Sequence, residues 1–185
     1  MSGRPMRADA RRNRARLLEV ADEVFAERGT GASTEEIARA AGVGIGTVFR
    51  HFPTKEALLE AVLVARLHRI AADAQALRDA DDPGGAFFGF LTGMVETAAT
   101  KTAYTDALAA AGIDVGDAIA PVRAELRSAL GELLDRAQRA GAVRTDIGLP
   151  ELFALLVGMS RAAEHTPDRT VQARTLAVLL DGLRA

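Results

Sequence analysis

The stretch that most constrains the fold is residues 33–55, STEEIARAAGVGIGTVFRHFPTK. Ser33 followed three residues later by Glu36 has the spacing of a capping box, so a helix is expected to start there and to carry Ile37, Ala38 and Ala41 inward. Gly42 stops it, and Val43 fills the turn with an apolar side chain. A second helix is expected from about 45 to 51, with Val48 and Phe52 toward a core and Thr47, Arg50 and His51 outside. Two helices joined by a short glycine-containing turn form a helix-turn-helix, and the outer face of this one has almost nothing to bury.

The second helix opens with two glycines, Gly44 and Gly46. Each costs about 1 kcal/mol against Ala in a helix interior, so a helix kept only for packing is not expected to hold both. Missing side chains let a helix backbone approach a nucleic-acid groove closely, with Thr47, Arg50 and His51 free for phosphates or base edges. The plainer reading makes Gly44 an N-cap and Gly46 a contact between helices, and it leaves the neighbouring basic residues without a role.

The run GVGIGTVFRHFPTKEALL, with RARLLEVADEVFAERGTGASTEEIARAAGV before it, resembles the DNA-binding segment of the tetracycline-repressor (TetR) family of bacterial transcription factors. The resemblance covers about residues 14 to 63; the rest is similar to the family only in helical character and length. It implies that Thr34, Thr47, His51 and Lys55 contact phosphates and that Ile45, Gly46 and Arg50 face the bases. Two positions depart from the family pattern. Phe49 stands where a phosphate-bonding Tyr is common, and Gly44 replaces the more usual Ser or Ala, which removes a side-chain cap.

A chain of 185 residues that is 49% hydrophobic can bury a sizeable core as one domain or two. It has no Cys, which rules out disulfides and thiolate metal sites. The basic opening MSGRPMRADARRNR is not followed by an apolar run, and no segment approaches 18 uninterrupted apolar residues. A soluble, cytoplasmic protein with no membrane partner is expected. The net charge of −2 conceals an uneven distribution, because residues 1–16 hold six Arg (4, 7, 11, 12, 14 and 16) against Asp9 alone. Such an arm, entering the first helix, is placed to meet phosphates.

Helical periodicity runs through the remainder. Leu17, Ala21, Val24 and Phe25 mark an amphipathic helix over about 9–28, with Glu19, Asp22, Glu23 and Arg28 on its polar face and Gly29 at its end. Its stripe is expected to pack with Ile37, Val43, Val48, Phe52 and Leu58 as a three-helix unit. Pro53 and Thr54 cap a long helix from Lys55 to about Arg78, a mechanical link between that unit and the C-terminal segments. DADDPGG at 79–85 breaks the pattern. Beyond it come an apolar helix from Ala86, a short helix around Tyr104 and Leu108, and another over about 119–140. The last two, about 149–164 and 169–184, flank a loop around Pro167. No strand pattern appears. The expected fold is therefore all-α with about nine helices, divided into a DNA-binding domain at 1–54 and a regulatory and dimerisation domain at 55–185.

Other chemistry finds no carriers. His51, His68 and His165 lack ligand spacing, so no metal site is expected. Ser33, Ser128 and Ser160 lie in helical patterns, and GVGIG follows a helix where a phosphate loop needs a strand. No enzymatic activity and no cofactor are expected.

What the resemblance implies is a homodimeric repressor of a palindromic double-stranded operator, released by a small molecule. The all-round apolarity of LFALLVGM points to dimerisation through 149–164 and 169–184. Phe88, Leu91, Met94 and Tyr104 are candidate walls of an effector cavity, since aromatics and Met adapt to small ligands. A ligand-independent architectural DNA-binding protein, or a helical interaction module that has lost DNA binding, remains open. Effector, operator and regulated genes are not written in the sequence.

Overall fold

Eight α-helices account for the regular structure among the described residues, which in this computed structural model are 4–166 and 168–185. They are α1 (Arg4–Arg28), α2 (Thr34–Ala40), α3 (Ile45–His51), α4 (Lys55–Ala76), α5 (Pro83–Ala110), α6 (Gly116–Arg139), α7 (Leu149–His165) and α8 (Arg169–Leu183). A 3₁₀ turn, Leu77–Asp79, follows α4. The one extended feature among the described residues is an isolated antiparallel bridge between Val143 and Arg184. Pro167 and the side chains of Arg4, Arg7 and Arg11, on which the basic-arm expectation partly rests, lie outside the described residues.

The all-α expectation holds, with one helix fewer than counted. The segment around Tyr104 is the second half of α5, which runs unbroken for 28 residues. Between Val95 and Tyr104 the chain offers Thr and Ala but neither Gly nor Pro, so nothing there outweighs continued hydrogen bonding. The start of α5 also lies earlier than Ala86. Pro83 takes the first helical position, where its missing N–H costs nothing, and the Asp82 carboxylate accepts from the Gly85 N–H at 2.9 Å.

The chain forms two compact units. One extends to Arg66 and also takes in Ala103–Ala118; the other comprises Leu67–Thr102 and Ile119–Ala185. In the first, α1 packs on α2 and α2 on α3, and Phe25, Ile37, Val48, Phe52, Leu58 and Leu63 are buried. Tyr104 and Leu108 from the end of α5 are also fully buried there. In the second, Phe87, Phe88, Phe90 and Leu91 of α5 share a core with Leu130, Leu133 and Leu134 of α6 and Leu152 and Leu156 of α7. The Arg184 guanidinium covers the Phe88 ring at 4.4 Å.

Candidate nucleic-acid interface

Ser33 is the N-cap of α2: its hydroxyl accepts from the Glu36 N–H at 3.2 Å, and the Glu36 carboxylate accepts from the Ser33 N–H at 2.8 Å. The capping box read from the sequence is therefore present in both halves. Donation from the Ser33 N–H, followed by the Arg28 guanidinium 3.0 Å away, holds the Glu36 carboxyl below the usual range. The helix ends in a Schellman arrangement, with the Gly42 N–H donating to the Arg39 carbonyl and the Val43 N–H to that of Ala38. Gly42 sits at φ +67°, a backbone region that a residue with Cβ enters only with strain. Cap and stop together fix the angle at which α3 leaves the turn.

Helix α3 buries only Val48; Phe49 and Arg50 are exposed, and Ile45, Thr47 and His51 are half-buried. Gly44 is its N-cap, in extended conformation and with no side chain to close the cap. Gly46 has ordinary helical backbone, and a Cβ added there would meet no atom within 4 Å. Neither conformation nor internal packing asks for glycine at 46, so the contact between helices that the plainer reading gave it is absent. Lys55 opens α4, where the Thr54 hydroxyl accepts from the Ala57 N–H at 3.1 Å. Of the residues assigned to phosphates, Thr34 differs from the rest. It is only 8% exposed, and its hydroxyl donates to the Glu35 carboxylate at 3.4 Å.

Two features of this unit escaped the sequence reading. The Arg14 guanidinium lies 5.0 Å from the Phe52 ring centroid and so braces the end of α3 from α1. Asp22, expected on the polar face of α1, is instead buried, at 7% exposure. Its carboxylate accepts from the Tyr104 hydroxyl at 2.7 Å and from the Arg66 guanidinium at 3.1 and 3.2 Å. Those partners lie 82 and 44 residues away in sequence.

The four effector-cavity candidates are divided between the two units. Phe88 and Leu91 lie in the core of the second unit, and Tyr104 belongs to the first unit. Met94 alone lines a cavity of about 330 Å³, with Leu67 and Ile70 of α4, Leu126 of α6 and Phe153 of α7. On α7 and α8, which pack together, Leu155, Val157, Val171 and Val178 are exposed, Val178 to 73%. Leu155 and Val178 border an apolar groove that also includes Gly158 and Gly182, where an added Cβ would meet nothing. Leu156, within the apolar run LFALLVGM, points into the core instead.

Among the described residues no group of His, Asp or Glu is placed to hold a metal ion, and no helix is long and apolar enough to cross a membrane.

A capped helix, a tight glycine turn and a second helix with an open basic face define a helix-turn-helix DNA-binding protein. The comparisons agree. Residues 17–62 match the family described as bacterial regulatory proteins, tetR family, and residues 82–185 match the SbtR-like transcriptional regulator C-terminal domain. A TetR transcription regulatory protein from Mycobacterium vanbaalenii superposes with a TM-score of 0.80 at 46% identity, over 98% of this chain and 100% of that one. The regulator SCO0520 from Streptomyces coelicolor gives 0.77 at 36% identity, over 92% and 98%. The chain belongs to the TetR family of transcriptional regulators. It is also similar to TtgW of Pseudomonas putida, described as an uncharacterized HTH-type transcriptional regulator. That match is 42% identical over 67 residues, 36% of this chain and 50% of TtgW. The chain thus spans half the length of that relative.

Proposed function

We propose that this regulator is a cytoplasmic homodimeric repressor that binds a palindromic operator and is released by a small molecule. DNA binding resides in residues 1–54 and control in 55–185. The observation that carries the reading is α4. Its first residue, Lys55, sits beside the recognition helix α3, and its later residues Leu67 and Ile70 wall the 330 Å³ cavity. An occupant bearing on Leu67 and Ile70 biases the helix that carries Lys55. It shifts the protein away from the operator only by as much as it prefers the released state.

In the operator complex Ile45, Gly46 and Arg50 face base edges, and Thr47, His51 and Lys55 meet phosphates. The vacant space over Gly46 supports a close approach of the α3 backbone to the groove floor. Exposed Phe49 contributes an apolar contact and no phosphate hydrogen bond. Thr34 contributes through its backbone at the start of α2, since its hydroxyl is buried. Dimerisation through α7 and α8 is supported by the outward Leu155 and Val178 and by the bare Gly158 and Gly182, which let a second helix pair approach closely. Two-fold symmetry then sets half-sites roughly 34–36 Å or a multiple apart.

The test is footprinting on DNA upstream of the protein's own gene, repeated across a compound screen. A protected palindrome whose protection is lost with one compound class is the expected result. Protection that no compound alters would favour an architectural role; no protection at all would remove the DNA-binding assignment.

A further inference from the structure

The cavity beside Met94 has a lining that selects for charge. Its walls are apolar, from Leu67, Ile70, Leu126 and Phe153. Four side chains bring polarity: Thr97, Ser160, Arg123 and Arg127. The Thr97 hydroxyl donates to the Gly93 and Met94 carbonyls, and that of Ser160 to the Leu156 carbonyl at 2.8 Å. Both hydroxyl hydrogens are thereby committed to the helix backbone, leaving the two guanidiniums as the donors that can serve an occupant.

Arg123 and Arg127 stand four residues apart on α6, hence on one face, where like charges repel. Among the described residues no Asp or Glu lines the cavity. The acid between them in sequence, Glu125, has its carboxylate 3.2 Å from the His68 ring. Arg127 lies over the Phe153 ring, 4.9 Å from its centroid, which holds the guanidinium at the cavity while leaving its in-plane N–H groups for an acceptor.

We infer that the effector is an amphipathic organic anion. Its carboxylate or phosphate monoester head is held between Arg123 and Arg127, and its apolar tail lies against Leu67, Ile70, Met94 and Phe153. This rests on the ligand-released reading above and adds the ligand's chemical class. A planar guanidinium pair suits both heads because each presents two oxygens in the geometry of the fork.

The test uses the full chain and four probes of equal tail length, each below its micelle concentration: decanoate, decyl phosphate, decanol and decyltrimethylammonium. Calorimetry is expected to show saturable binding of one or both anions at least tenfold tighter than decanol, and none of the cation. Arg123→Gln combined with Arg127→Gln should weaken the anion at least tenfold and leave decanol unchanged, whereas Arg123→Lys retains much of the affinity. Glu125→Gln should bind as the parent does. The binding anion should also lower operator occupancy in a gel shift.

Equal binding of decanol or the ammonium, with operator release, would overturn the anionic class and leave the ligand-released repressor standing. Anion binding unaffected by loss of both arginines would overturn their role. Absence of binding and of operator release with every probe would overturn the class, and a compound screen as inert as the probes would take the ligand-released reading with it.

Discussion

Tyr104→Phe removes one hydroxyl from a fully buried ring and nothing else, which makes it the sharpest probe of how the first unit is held together. That hydroxyl donates to the Asp22 carboxylate at 2.7 Å and lies 3.3 Å from the Asp22 carbonyl oxygen. Asp22 is 7% exposed, so water cannot readily replace the lost donor. A hydrogen bond to a charged group contributes about 1.5–3 kcal/mol. The Arg66 guanidinium still reaches both carboxylate oxygens at 3.1 and 3.2 Å, which argues for the lower half of that range. The expected loss is roughly 2 kcal/mol, or about thirtyfold in the folding equilibrium. Urea unfolding followed by circular dichroism at one fixed protein concentration measures it, with the slope checked for a change of cooperativity. Asp22→Ala should cost more, about 3–5 kcal/mol, because it strands the partly buried Arg66 charge. In that background Tyr104→Phe should cost little. A Tyr104→Phe protein within about 0.5 kcal/mol of the parent, or an equal loss in both backgrounds, would refute the claim that the hydroxyl acts through Asp22.

Further outcomes are expected at other positions. Arg50→Ala or Ile45→Ala should relax operator preference by about 1–3 kcal/mol, while His51→Ala or Lys55→Ala lowers affinity for operator and random DNA alike; titrations on both DNAs over a salt series check this. Leu155→Arg with Val178→Arg should yield monomers in sedimentation while keeping the helical spectrum, because both side chains point outward; Leu156→Arg should unfold the second unit instead. Ser33→Ala should cost about 1 kcal/mol through the α2 cap. Glu36, with its folded pKa held low, stabilises α2 fully above the unfolded glutamate range and loses that contribution as pH falls through its folded value, so Glu36→Gln should flatten the acid limb of a pH–stability curve. Met94→Trp should fill part of the 330 Å³ cavity and abolish induction, with operator affinity in gel shifts kept within about tenfold, or about 1.4 kcal/mol.

The recognition motif was legible because it is built from local interactions. Ser33 and Glu36 are three residues apart, Gly42 is fixed by the turn it makes, and Val48 and Phe52 by helical spacing; each of these relations closes within a few residues. Helix existence was legible for the same reason, and the miscount came from reading a run of Thr and Ala in α5 as a boundary when only its propensity is weaker. What the sequence alone could not fix were relations across long chain separations. Asp22 looks like any acid on a polar helix face until Tyr104, 82 residues on, and Arg66 bury it. The Phe-rich stretch of α5 is apolar nearly all round, so its composition does not say which side chains meet the core and which meet a cavity. Packing against α6 and α7 puts Phe88 and Leu91 in the core and leaves Met94 partly buried against it, where it also lines the cavity. Likewise LFALLVGM announces that α7 must be covered, but only its seat in the second unit decides that Leu156 faces inward and Leu155 outward. Apolar patterning determines that a surface must be buried; the three-dimensional neighbours, contributed by distant segments, determine where.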